Sequence, residues 1–179
     1  RLFESGYFQR VNELRFKRLL RKMENHVILC GYGRVGQEIS NQIKTQNIPI
    51  IVVESDEDRK KIAEENGLEV LCADATLDET LKLAGLEKCK SLVVTLPNDA
   101  ANLYVVLSAK GIRSSIRVIA RAGTEEAASK LRLAGASIVV SPYIAAGRAM
   151  ASMALRPIAI DFLDLLAGSE CEIEEFELS

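Results

Sequence analysis

Apolar residues in this chain gather in short unbroken runs, and between the runs apolar and polar positions alternate with a spacing close to 3.6 residues. The runs cover residues 27–30, 48–53, 69–72, 91–96, 116–120 and 137–140. Runs this short and this continuously apolar predict strands buried on both faces. Helical spacing fills the gaps, after Gly36 and over residues 56–66, 77–84, 99–110, 125–133 and 144–155. Strands alternating with helices predict an α/β fold, a doubly wound parallel six-stranded sheet. Gly67, Gly85, Gly111 and Gly135 each fall just past a helical stretch, where a left-handed C-cap is expected.

The two ends of the chain break the pattern. Residues 1–25 set Val11, Leu14, Leu19 and Leu20 among Arg10, Arg15, Lys17, Arg18, Arg21 and Lys22, which predicts an amphipathic connector helix. Arg156-Pro157 ends the last helix, and residues 157–179, rich in Glu170, Glu172, Glu174, Glu175 and Glu177, are expected to begin a truncated C-terminal subdomain. The expected organisation is therefore a connector over 1–25, a nucleotide-binding lobe over 26–142, a crossover helix over 143–156 and the C-terminal start. With 48% hydrophobic and 27% charged residues among 179, the chain can bury one principal core. A net charge of −2 gives no basis for nucleic acid as a partner. Apolar runs all fall short of the roughly 20 residues a membrane-spanning helix needs. Cys30, Cys72, Cys89 and Cys171 form no C-x-x-C pair, so no metal site is expected.

The first strand carries the chemistry. Residues 27–30 run straight into Gly31, Gly33 and Gly36 at G-x-G-x-x-G spacing, a helix follows, and the next strand ends on Glu54. Gly31 permits a tight turn, Gly33 lets backbone N–H groups approach a diphosphate, and Gly36 lets helix and strand pack closely. The helix aims its free N–H groups at the phosphates. Glu54, about twenty residues on, is placed to accept hydrogen bonds from both ribose hydroxyls. These features together form a Rossmann-like dinucleotide fingerprint.

Further motifs follow in order: Ala73-Asp74-Ala75-Thr76, Leu83-Ala84-Gly85-Leu86, Arg132-Leu133-Ala134-Gly135-Ala136 and Val140-Ser141-Pro142. With the stretch from Glu24 to Gly36 they resemble the RCK family (regulators of potassium conductance, also called KTN or TrkA-N domains) over about residues 24–156. The resemblance implies a cytosolic ligand-sensing module of a prokaryotic potassium channel, paired as a homodimer and assembled into an octameric gating ring beneath the pore domain. It implies ligand contacts from Gly31, Tyr32, Gly33, Arg34, Val35 and Gly36 at the phosphates, and from Glu54 and Ser55 at the ribose. Asp74, Ala75 and Thr76 would lie beside the adenine, while Thr95, Leu96, Pro97, Asn98 and Arg121 close the cleft. NAD(H), AMP, ADP and ATP all fit such a site, whereas Glu54 would repel the 2′-phosphate of NADP. Family members often have glycine where Ala73 stands. Calcium-gated members place extra carboxylates after the fourth strand; the stretch Thr95-Leu96-Pro97-Asn98-Asp99 lacks them, which argues against calcium.

Several residues carry two readings. Arg34 is a ligand contact or a solvated loop charge, Asp74 an adenine neighbour or a helix cap ahead of Leu77, and Arg121 a phosphate contact or an ion-pair partner. His26, the only histidine, sits at the opposite end of its strand from the cleft and reads as structural. Ala145, Ala146, Ala149, Met150, Met153 and Ala154 make a helical stripe that is core or, past the last strand, interface. The strand ends supply no histidine, lysine or tyrosine set for proton transfer, so no catalytic residue is expected and a binding module is favoured over an NAD-dependent oxidoreductase. The basic connector suits the cytoplasmic face of a membrane and a channel's last transmembrane helix. A peripheral subunit of a Trk/Ktr-type transporter is the close variant.

Overall fold

In the computed structural model residues 23–155 are described. Of the expected connector only residues 23–25 fall among them, and these are not helical; the tail after 155 lies outside the described residues. Two compact units divide between Ser141 and Pro142.

In the first unit, β1 (Val27–Cys30), β2 (Ile50–Glu54), β3 (Glu69–Cys72), β4 (Ser91–Val94), β5 (Val118–Arg121) and β6 (Ile138–Val140) alternate with α1 (Arg34–Thr45), α2 (Glu57–Glu65), α3 (Asp78–Leu83), α4 (Asp99–Ile112) and α5 (Glu125–Leu133). The strands form one sheet in the order β3-β2-β1-β4-β5-β6, with every neighbouring pair parallel. The order reverses between β1 and β4, so the crevice at their carboxyl ends is the place where such a sheet accepts a ligand. Side chains alternate across the pleat. Ile28, Cys30, Ile51, Val53, Leu92 and Val94 enter one buried cluster, while Val27, Leu29, Ile50, Val52 and Val93 enter another. Both faces of the central strands are thus covered, which is why they read as unbroken apolar runs. Each fully buried Leu or Ile in these layers contributes on the order of 1.5–3 kcal/mol.

Boundaries differ from the sequence expectation at three informative places. β4 stops at Val94, two residues early, because the backbone of Leu96 bonds to the Asn102 side chain. α4 runs through Gly111 to Ile112, so Gly111 is helical rather than a cap; Gly67, Gly85 and Gly135 do take positive φ. The residue before α3 is Leu77, with no side-chain cap. In the second unit α6 (Pro142–Leu155) has no buried residue. Among the described residues no helix is long and apolar enough to cross a membrane.

Candidate functional site

The glycine loop follows β1 at the crevice. Gly31 has φ +95°, and a Cβ there would come within 3.1 Å of the Thr95 backbone. Gly36 lies closer still, since a Cβ would sit well inside contact distance of the Gly31 carbonyl. Both glycines are therefore required by the chain's own packing. Gly33 is different: its φ is −74°, open to any residue, and a Cβ there would meet nothing within 4 Å.

Gly33 is also the N-cap of α1, which has no side-chain cap and no acidic residue in its first turn. The other four described helices of the first unit answer their exposed N–H groups. Asp56 caps α2 by accepting from Asp58 N and Arg59 N, Asn98 caps α4 through Ala100 N and Ala101 N, and Thr124 caps α5 through Ala127 N. α3 lacks a side-chain cap but carries Asp78 and Glu79 in its first turn. Only α1 among these five has neither device, so its positive end and orphan donors are left for something else.

Glu54 ends β2 and is 5% exposed. One carboxylate oxygen accepts from Tyr32 N at 2.7 Å and the other from Asp56 N at 3.0 Å. The Arg59 guanidinium stands 3.9 Å away. A buried carboxylate needs such donors, and here they tie the glycine loop to the end of β2. The Tyr32 side chain, expected at the phosphates, is fully buried in the core and accepts a hydrogen bond from Asn66 through its hydroxyl. Its contribution to the loop is its backbone. Beside Glu54, burial and then Glu57 push the Cys72 thiol up to about 11, so it stays protonated and donates to Glu57 at 3.1 Å.

Asp74 does not cap α3. Its carboxylate instead accepts from Thr76 N at 2.9 Å and from the Thr76 hydroxyl at 2.7 Å, shaping a turn beside β2 whose Ala73 N donates to Glu54 O. Ala75 is buried in the core, whereas Asp74 and Ser55 are exposed. Across the crevice Thr95 is 7% exposed, and its hydroxyl lies 3.1 Å from Cys30 O and 3.0 Å from Gly31 O. Arg121 donates to Leu96 O at 3.2 Å. Pro97 and Asn98 are exposed on the lip, Arg34 is exposed on the first turn of α1, and Val35 is half-buried. Gly31, Gly33, Glu54, Thr95, Leu96 and Arg121 thus converge on one crevice.

One further residue of the crevice escaped the sequence expectation. Asn102 is fully buried, accepts from Leu96 N and donates to Leu96 O and Arg121 O. Its signal was a polar residue in step with Val105, Val106 and Ala109 on the buried face of α4.

Residues 27–142 match the TrkA-N domain family. Over 175 residues the chain is 37% identical to potassium channel protein 1 of Methanocaldococcus jannaschii, covering 96% of this chain and 53% of that protein. The chain spans about half the length of the curated relatives it matches. The TrkA-N domain of the inner membrane protein ybaL from Escherichia coli superposes with a TM-score of 0.69 at 31% identity, covering 74% of this chain and 98% of that one. A structure of GsuK bound to ADP gives a TM-score of 0.65 at 27% identity over 79% of this chain and 38% of that one.

Proposed function

This chain belongs to the TrkA-N domain family, and on that premise we propose that it binds an adenine nucleotide or NAD(H) at the α1 N-terminus and serves as a cytosolic regulatory domain of a potassium channel. The observation that carries this is the contrast at α1: a helix end with no side-chain cap and no acidic residue in its first turn, behind a glycine whose missing side chain nothing in the chain explains. A phosphate supplies the charge and the acceptors that such an end lacks. Glu54 stands where a ribose diol would be read, and each of its oxygens keeps acceptor capacity beyond the backbone bond it makes. GsuK, one of the similar structures, was solved with ADP, and the Methanocaldococcus relative is a potassium channel protein; both support the reading. So does the placing of the only histidine at the amino end of β1, away from any hydride-transfer chemistry at the crevice.

The mechanism is linkage. Nucleotide favours one arrangement of paired domains, and that arrangement acts through residues 1–25 on a pore at the cytoplasmic face of the membrane. Ligand shifts the gate only by its difference in affinity between the arrangements. Pairing is assigned to α6, whose Met150 and Met153 are 70% and 52% exposed and whose stripe of small and flexible apolar residues suits a symmetric contact. Four such pairs would complete an octameric ring. Mass spectrometry of ligand released from purified protein, followed by calorimetric titration with AMP, ADP, ATP and NAD(H), tests the binding reading; no ligand and no heat with any of them overturns it. For assembly, Met150→Glu with Met153→Glu is expected to convert a dimer to a monomer in light scattering while nucleotide binding persists. A parent protein that stays monomeric at high micromolar concentration would remove α6 from the mechanism.

A further inference from the structure

We propose that Asn102 is a positioning residue that sets the β4–β5 half of the crevice for the second half of a dinucleotide. This rests on a nucleotide occupying the 31–36 loop.

The crevice has two sides. On the β1–β2 side lie the α1 N-terminus and Glu54, enough for a phosphate and one ribose. Beyond the reversal of strand order lie Leu96, the lip that follows it and Arg121. A mononucleotide needs the first side alone, whereas a dinucleotide crosses the switch point and meets the second.

The second side is not held by sheet pairing. β4 has ended at Val94, so the Leu96 amide has no partner strand, and Asn102 takes that strand's place. Its side-chain oxygen accepts from Leu96 N at 2.9 Å, and its amide nitrogen donates to Leu96 O at 3.1 Å and to Arg121 O at 3.0 Å. One fully buried amide thereby fixes both the lip and the backbone from which the Arg121 side chain springs. That side chain in turn donates to the same Leu96 carbonyl. An amide satisfied on both its donors and its acceptor specifies a single arrangement of the two loops. None of these bonds reaches Gly33 or Glu54. The link to the glycine loop is indirect, through Thr95 next in the chain, whose hydroxyl bonds to Gly31 O, so Asn102 acts first on the β4–β5 half of the crevice.

The test is a comparison of two ligands in the purified chain. Asn102→Asp keeps the shape and the acceptor but loses both donors; Asn102→Ala loses all three bonds without adding charge. Affinities for NAD and AMP are measured calorimetrically for parent and variants, with thermal melting of each. The expected result is a fall in NAD affinity of about tenfold, the equivalent of one buried hydrogen bond, with AMP affinity within about twofold of the parent. Retained AMP binding also shows that the variant is folded. An equal loss for both ligands, no loss for either, or failure of both variants to fold makes Asn102 an ordinary structural residue and overturns the proposal. A parent that binds AMP but not NAD overturns it as well, because no second half is then read. A parent that binds neither ligand sinks the nucleotide reading itself, a result distinct from the others.

Discussion

At the amino ends of the strands, polar groups are answered by the chain itself with one exception, the buried His26 Nδ1, which has no hydrogen-bond partner among the described residues. His26 Nε2 donates to Ala84 O, Arg113 donates to Leu86 O at 3.2 Å and Cys89 O at 2.8 Å, and Lys110 donates to Ser114 O and Ile116 O. The chain enters β1 through the same kind of contact, with Asn25 N on Lys88 O and Lys90 N on His26 O. At the carboxyl ends the bracing is similar in style but incomplete. Glu54, Thr95 and Asn102 hold the loops, yet α1 starts with no side-chain cap and no acidic residue in its first turn. The difference teaches where to look for a ligand: the amino end marks what a sheet needs merely to stand, and whatever the carboxyl end leaves unanswered beyond that standard is available for recognition.

The sharpest way to break this comparison is Gly33→Asp. A Cβ at this position meets nothing within 4 Å, and aspartate is a better N-cap than glycine by about a few tenths of a kcal/mol. The variant should melt at or above the parent temperature while nucleotide affinity falls by more than about a hundredfold, since the carboxylate takes the place of the phosphate. Titration that finds parent-like affinity would remove the glycine loop from the account.

Next in size is Glu54. Glu54→Ala should lose about 1.5–3 kcal/mol of NAD affinity for its charge-assisted bonds, and Glu54→Arg should shift preference toward a 2′-phosphate. An unaltered ratio of NAD to NADP affinity would show that ribose is read elsewhere. At the opposite end Arg113→Met keeps the aliphatic stem but leaves the Leu86 and Cys89 carbonyls without this donor. Stability in urea should fall by about 1–3 kcal/mol with nucleotide affinity intact, and a loss of affinity would mean that the two ends are not separable.

The smallest effect concerns pH. Burial holds the His26 imidazole below its ordinary 6.5, outweighing the bond to Ala84. The unfolded chain therefore binds more protons in this range, and stability is complete above about pH 6.5 and withdrawn as the pH falls below it, at no more than about 1.4 kcal/mol per pH unit. His26→Gln preserves a donor toward Ala84 and should flatten the melting-temperature profile between pH 7 and 5. A slope identical to the parent's would assign the dependence to carboxylates instead.

Much of the fold was legible because parallel strands covered on both faces leave unbroken apolar runs, as in residues 27–30 and 50–53. The misread boundaries have different physical origins, and at the end of β4 a side chain replaced the backbone partner. Leu96 looks like strand and is not, because Asn102 supplies its bonds. Gly111 looks like a cap, yet the helix continues because Ile112 extends it before Arg113 turns away. In the site, the glycine spacing and Glu54 could be read from local order alone. The bond from Tyr32 N to Glu54 could not, since it joins residues 22 apart through a loop conformation that no composition encodes. Asn102 stood in plain view as a polar residue on an apolar helix face, a pattern that asks what buried backbone it serves.

The pinning of the glycine loop has a consequence for how fast and at what entropic cost the site responds. Gly31 N is held by Val53 O, Gly31 O by the Thr95 hydroxyl and Tyr32 N by Glu54. A segment ordered in advance surrenders little conformational freedom when a ligand arrives. Association then needs no folding step, and residence time is governed by the contacts made rather than by loop closure. Amide hydrogen exchange should find Tyr32 protected even without nucleotide, an island of slow exchange beside the open first turn of α1.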